Sequence, residues 1–226
     1  HTHSSSGRAR NFKKIELDSN KENVENYHKI IESLKLAFAD SKTYVTDMDE
    51  MKVKIEDLLS ETYADKRREL ITDKAIIPTY GEPYSSGTVY LCTSDKEGNM
   101  VSYIQSNYTE FGSGLVVPNT GIAIHNRGNN FSLDKNHVNV VKPFKKPYHT
   151  IIPGFICKSN ESVGAFGVMG AFMQPQGHLQ VITNLIDFNL NPQESLDAPR
   201  WQWIGENLIE VEEDMPLDIV KGLMEK

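Results

Sequence analysis

Cysteine is nearly absent: the 226 residues contain two, Cys92 and Cys157. They have no metal-ligand spacing, and each lies in an apolar run where a buried free thiol is a simpler reading than a disulfide. Basic residues are also short, 24 Lys and Arg against 31 Asp and Glu, and the net charge of -7 repels nucleic acid rather than attracting it. No window approaches the roughly 18 consecutive apolar residues of a spanning helix, and the N-terminus lacks the charged-then-apolar order of a signal peptide. Neither a nucleic-acid nor a membrane partner is expected. Gly-x4-Gly-Lys, Gly-x-Gly-x-x-Gly, Gly-x-Ser-x-Gly and His-Glu-x-x-His are all missing, which removes the enzyme classes built on them. His125, His137, His149 and His178 are scattered without a carboxylate at ligand spacing, so no metal and no cofactor are expected.

What remains is an ordinary globular composition, 38% hydrophobic and 24% charged, in a chain long enough for a substantial core. Residues 1–10 (HTHSSSGRAR) are polar and aperiodic and read as a disordered or tag-like lead. Ser19-Asn20-Lys21-Glu22 has the form of a capping box, and Val24, Tyr27, Ile31, Leu34 and Phe38 recur at helical spacing behind it. A second helical pair is predicted over 53–70, with Ser60 as a cap between its halves and Lys66, Arg67 and Arg68 at its end. From Asp73 to Gly87 the chain passes Pro78, Gly81, Pro83, Ser85 and Ser86 and reads as an exposed linker.

Strand texture follows. Val89 to Ser94, the turn Asp95-Lys96-Glu97-Gly98-Asn99 and Met100 to Ser106 predict a hairpin with Thr88 at its entrance. Further strands are predicted over 115–117, 122–125, 150–157 and 162–168. Leu179, Ile182, Leu185 and Ile186 mark a helix after Pro175, and Pro192 starts a shorter one ending near Ala198-Pro199. A strand over 208–211 and a helix over 216–224 complete an α+β pattern without internal repeats.

By itself Gly87-Thr88 is an ordinary strand start. The chain nevertheless carries, in order, LAFAD (36–40), TVYLCTSDKEGN (88–99), SNYTEFGSG (106–114), NTGIAIHNRGNNF (119–131), KKPYHTIIPGF (145–155), GVMGAFMQPQ (167–176) and DAPRW (197–201). With these pieces residues 24–226 resemble the γ-glutamyltranspeptidase family of N-terminal-nucleophile hydrolases. The resemblance implies a four-layer α/β/β/α sandwich and a precursor that cuts itself between Gly87 and Thr88. It also implies a division into the end of a large subunit (11–87) and a small catalytic subunit (88–226). A threonine hydroxyl is a poor nucleophile, but a terminal α-amine titrates near pH 8 and can take its proton. Gly87 relaxes the steric limits on the bond to be cut.

Further roles are implied by the same resemblance. Ser106 stands where the family has a threonine that orients the nucleophile, and Gly170-Ala171 where two glycines hold the oxyanion through backbone N–H groups. His149 and Thr150 replace two serines that contact the substrate α-carboxylate. Asn130, preceded by Asn129, replaces the carboxylate that holds the acyl ammonium, while Arg127 and Tyr108 replace a glutamine and an asparagine. These departures shift the pocket from γ-glutamyl groups toward acyl chains ending in carboxylate without an amine, as in glutaryl-amide acylases of the superfamily. Arg127 would pair with that carboxylate, the alternative being a solvated surface arginine.

The expected partners are therefore a small γ-glutamyl or glutaryl amide and the remaining large-subunit segment, with hydrolysis favoured over transfer. A non-catalytic light-chain-like binding module is the alternative. Sequons begin at Asn107, Asn130 and Asn160, and the first two fall in the expected site, where glycans would block it. A bacterial, cytoplasmic setting is the corresponding expectation.

Overall fold

The structure is a computed structural model, and it describes residues 14–78, 88–109, 111–159 and 161–226. The expected lead at 1–10, the end of the linker with Gly87, and Asn160 lie outside the described residues. The elements are α1 (Val24–Tyr44), α2 (Ile55–Leu58), α3 (Glu61–Arg68), β1 (Thr88–Ser94), β2 (Met100–Ser106), β3 (Gly154–Lys158), β4 (Glu161–Phe166), α4 (Met173–Ile186), α5 (Pro192–Asp197), β5 (Trp201–Gly205), β6 (Leu208–Val211) and α6 (Leu217–Met224). The chain is α+β, its described strands forming three two-stranded antiparallel sheets, β1-β2, β3-β4 and β5-β6. None of the described helices is long and apolar enough to cross a membrane.

Contacts group the chain into two units, His1–Pro83 with Leu179–Lys226, and Tyr84–His178. In the first, α1 buries the predicted stripe of Tyr27, Ile31, Leu34 and Phe38. Its start departs from expectation, because Asp18 and Asn20 each accept a backbone N–H two residues ahead, from Asn20 and Glu22, and bend the chain instead of extending the helix. The cap is Asn23, whose side chain accepts from Glu25 N–H at 2.8 Å. Ser60 caps α3 as predicted, accepting from Tyr63 N–H at 3.2 Å. Arg67 of α3 forms an ion pair with Asp40 at 2.9 Å and donates to the Leu36 carbonyl, which ties α3 to α1.

Hydropathy did not reveal the charged pair inside α1. Glu32 and Lys35 are each only 1% exposed and meet at 2.6 Å. The second oxygen of Glu32 accepts from Ile76 N–H at 3.1 Å, and His28 Nε2–H donates to the Thr72 carbonyl at 2.7 Å. A buried ion pair is stabilised when its remaining hydrogen-bonding capacity is met, and Ile76 N–H meets part of it at Glu32. Farther along, Gln180 of α4 clamps Trp201 by accepting from its N–H at 3.1 Å and donating to its carbonyl at 2.9 Å. That seats β5, which the sequence reading had not predicted, and places Trp203 5.9 Å from Phe38.

The second unit is built on the β1-β2 hairpin, paired from Ser94↔Met100 to Thr88↔Ser106. Asp95 holds its turn by accepting from Glu97 and Asn99 N–H groups at 3.0 and 2.9 Å, and Gly98 supplies the required positive φ of 85°. Ser102 Oγ donates to the Gly154 carbonyl at 3.0 Å, joining the β3-β4 hairpin to β2. Gly167 passes so close to the Tyr90 ring that a Cβ would lie 2.4 Å from it.

Three expectations are corrected here. The strands predicted at 115–117 and 122–125 reduce to one bridge, Val116↔Ala123. The strand predicted from 150 begins at Gly154, because Thr150 and Ile152 bond to the Ala171 carbonyl and the Gln174 side chain rather than to a strand. Cys92 and Cys157 are free, as expected, but exposed rather than buried, since neither hairpin is covered there by described residues. The division expected at 87/88 concerns covalent processing, which is a separate matter from compactness.

Replacing Lys35 by Met leaves the Glu32 carboxylate buried without its cation, so Lys35→Met is expected to lose about 3–5 kcal/mol of stability. Urea denaturation measures this, and a loss below about 1 kcal/mol would refute the assignment of a desolvated pair.

Candidate active site

The last rung of the hairpin sets the geometry. Residues opposite each other in a ladder share a face, so the Thr88↔Ser106 register brings their hydroxyls together. Thr88 is 2% exposed, and its Oγ1 donates to Ser106 Oγ at 3.0 Å. Beyond Ser106 the chain turns sharply: Tyr108 has φ 80°, unusual for a residue with a side chain, and its N–H returns to Ser106 Oγ at 2.9 Å.

A second segment is sewn to this turn. Asn126 N–H donates to the Asn107 carbonyl, and the Asn126 side chain exchanges hydrogen bonds with Thr109, accepting from its N–H at 3.1 Å and donating to its Oγ1. Asn126 is a positioning residue that sequence reasoning passed over, although it sits inside the quoted 119–131 motif. Directly after it, the 3-10 turn Arg127–Asn130 delivers two more of the expected residues. Arg127 Nη2 donates to Ser106 Oγ at 3.1 Å, and its guanidinium lies 5.0 Å from the centre of the Tyr108 ring. The Tyr108 hydroxyl donates to Asn130 Oδ1 at 2.9 Å.

Arg127 is only 7% exposed, which answers the alternative of a solvated surface arginine. Among the described residues no carboxylate pairs with it, and burial pulls its pKa below the ordinary arginine value. A desolvated cation held by a ring face and a hydroxyl is an incomplete arrangement that favours an incoming anion.

The remaining expected residues form a second group. Gly170 and Ala171 both have positive φ, 117° and 51°, so this turn runs through left-handed backbone. A side chain at 170 would meet Met173 Cβ at 2.8 Å, whereas Ala171 accepts its conformation at a cost of roughly 1 kcal/mol. Thr150 Oγ1 donates to the Ala171 carbonyl at 2.7 Å and Gln174 Oε1 accepts from Ile152 N–H at 3.2 Å, which locks the turn to the segment carrying His149. His149 is electrostatically linked to the first group: burial, then the charge of Arg127, lowers its pKa from 6.5 to about 4. It is therefore a neutral group throughout the physiological range.

A family model described as Gamma-glutamyltranspeptidase matches residues 7–226. Among curated proteins, the Glutathione hydrolase-like YwrD proenzyme of Bacillus subtilis (strain 168) is 40% identical over 179 residues, covering 79% of this chain and 34% of that protein. The Oxamate amidohydrolase proenzyme of Klebsiella pneumoniae is 36% identical over 180 residues, covering 80% of this chain and 34% of that protein. Among solved structures, cephalosporin acylase from Bacillus halodurans superposes with a TM-score of 0.92 at 53% identity, covering 99% of this chain and 41% of that one. The chain thus spans about a third of the length of the curated relatives it matches.

The lowered pKa of His149 carries a stability prediction. Its imidazole takes a proton near pH 6.5 when unfolded and near 4 when folded, so between those values the unfolded state binds more protons. Stability present above pH 6.5 should fall as pH drops toward 4. His149→Gln should flatten that fall by up to one proton in unfolding midpoints taken across the range; an unchanged slope would show that His149 titrates normally.

Proposed function

The chain belongs to the gamma-glutamyltranspeptidase family, and from that premise we propose that it is the catalytic part of a self-cleaving amide hydrolase with Thr88 as nucleophile. The observation that carries this reading is the buried Thr88 hydroxyl, 3.0 Å from Ser106 Oγ at the first residue of β1. Cutting Gly87-Thr88 converts the Thr88 nitrogen from an amide, which has no basicity, into an amine that titrates near pH 8. As Thr88 Oγ1 attacks the substrate carbonyl, its proton passes to that amine and the carbonyl electron pair moves onto its oxygen. When the C=O bond re-forms, the C–N bond breaks and the α-ammonium returns the proton to the departing amine, leaving an acyl ester that is hydrolysed by water in preference to transfer.

Two features support an oxyanion role for the turn at 170–171. Its left-handed backbone is fixed by Thr150, and N–H groups presented by such a turn are suited to a developing negative charge. We assign Thr150 to this task, because its proton is already committed to the Ala171 carbonyl. His149, held neutral and accepting from Ile151 N–H through Nδ1 at 3.3 Å, is left as a lining residue.

For the acyl group the electrostatics favour a carboxylate without an amine. Asn130 accepts from the Tyr108 hydroxyl through its side-chain carbonyl oxygen, and a neutral amide cannot supply the charge-assisted bond with which a carboxylate holds an ammonium. Arg127 repels an ammonium and attracts a carboxylate. The substrate class is therefore a glutaryl-type half-amide before a γ-glutamyl one. That preference agrees with the likeness to an acylase and to an oxamate amidohydrolase. We further infer the four-layer α/β/β/α sandwich of N-terminal-nucleophile hydrolases. Val89, Leu91, Val101 and Tyr103, which share one exposed face of the β1-β2 hairpin, support it by needing cover from the remaining large-subunit segment.

Denaturing mass spectrometry of the full-length protein should show two pieces split at Gly87-Thr88. Thr88→Ala should stay whole and lose at least about a thousandfold in turnover. A wild-type chain that stays uncut on incubation would favour the binding module instead. In a second assay a glutaryl anilide should be cleaved faster than a γ-glutamyl anilide, and the reverse order would sink the assignment of Arg127 and Asn130.

A further inference from the structure

Three hydrogen-bond donors converge on Ser106 Oγ: the Thr88 hydroxyl at 3.0 Å, Tyr108 N–H at 2.9 Å and Arg127 Nη2 at 3.1 Å. A hydroxyl oxygen has two lone pairs. The backbone N–H and the guanidinium can only donate, and both are fixed, one by the turn at Tyr108 and the other by stacking on its ring. The Thr88 hydroxyl is the one member of the three that can turn. While its nitrogen is an amide it has no basic neighbour on its own residue and crowds onto Ser106; once that nitrogen is an amine, its proton has a better acceptor.

Building on the proposed nucleophile, we propose that Arg127 is a positioning residue for Thr88: together with Tyr108 N–H it fills both lone pairs of Ser106 Oγ, so that in the cut chain Ser106 donates its proton to Thr88 Oγ1. The Thr88 O–H bond breaks and its proton goes to the α-amine; as the oxygen bonds the substrate carbon, the C=O π bond breaks and its electron pair moves onto the carbonyl oxygen. Ser106 keeps its own proton throughout and its hydrogen bond shortens as charge builds on Thr88 Oγ1. A serine free to rotate could equally accept from Thr88, pulling that proton away from the amine. The arginine prevents this, so its effect on the nucleophile is independent of any charge on the substrate, and its other N–H groups remain available for a carboxylate.

That independence supplies the test. On a neutral acyl anilide, such as a valeryl anilide, full-length Arg127→Met should lose roughly ten- to a hundredfold in kcat per cut chain with KM nearly unchanged. On the glutaryl anilide KM should rise as well. Arg127→Lys keeps a donor and should recover much of the kcat on the neutral substrate. In a Ser106→Ala background, Arg127→Met should cost almost nothing further on that substrate, because the effect passes through Ser106. Unchanged kcat on the neutral anilide in Arg127→Met would overturn the proposal and leave Arg127 as a carboxylate binder alone. If Arg127→Met fails to cut, the lysine variant decides: cutting and turnover restored there support the proposal, and equal failure overturns it. Wild-type protein that is cut yet turns over neither anilide would sink the proposed function and this proposal with it.

Discussion

Everything at the site depends on one rung of a two-stranded ladder. Thr88 and Ser106 are the last paired residues of β1 and β2, and their hydroxyls meet because paired residues share a face. A slip of a single residue would send every side chain of one strand to the opposite face and separate the pair. The register is set at the far end of the hairpin, where Asp95 and Gly98 fix the turn, and in the middle, where Ser102 bonds to Gly154 and the Tyr90 ring lies against Gly167. A seven-residue strand transmits that setting to the mouth. The placement of Thr88, the proposed nucleophile, is thus a consequence of turn chemistry at the other end of the hairpin.

The cost of the arrangement falls on Arg127. Taking a guanidinium out of water without an anion is unfavourable by several kcal/mol, and one ring face together with one hydroxyl offsets only part of it. A protein selected for stability alone would place a carboxylate there. Among the described residues the charge instead remains without a carboxylate partner, beside the proposed nucleophile, with His149 kept neutral by burial and by that charge. Residual strain of this kind is characteristic of sites that complete their electrostatics with a ligand. It also explains why Tyr108 tolerates a left-handed backbone: the strained turn aims its N–H at Ser106 and its ring at Arg127.

Much of this was legible in the sequence, for reasons that vary by residue. The hairpin could be read because alternation and an Asp-x-x-Gly turn are local signals, and α1 because its apolar stripe is. The start of α1 was misplaced because Ser19 to Glu22 satisfies a capping pattern, while Asp18 and Asn20 bond their own backbone first. The pairing of Glu32 with Lys35 was invisible, since charged residues three apart on a helix usually mark a solvated face. Thr88 could be placed only between a linker and a strand until the ordered motifs gave it a chemical role. That Arg127 touches Ser106 is set by Asn126 and Thr109 across a loop with no periodicity, and no local rule would have found it.

The unit that contains no part of the site has its own bearing on the chemistry. The proposed cut at Gly87-Thr88 would divide the chain, yet the bonds around residues 72–76 join the two sides of it. Ala75 N–H donates to the Lys226 carbonyl and Lys74 Nζ to the Glu225 carbonyl, while Lys226 pairs with Glu25. Gly222 approaches Val24 so closely that a Cβ would lie 2.4 Å from its Cγ2. Helix α1 precedes the proposed cut and α6 follows it, so their packing does not depend on the Gly87-Thr88 peptide bond. Glu32 and His28 hold Ile76 and Thr72, at the start of the linker, against α1 in the same way. The hydrogen bonds and packing that hold this unit together would therefore survive the proposed cut.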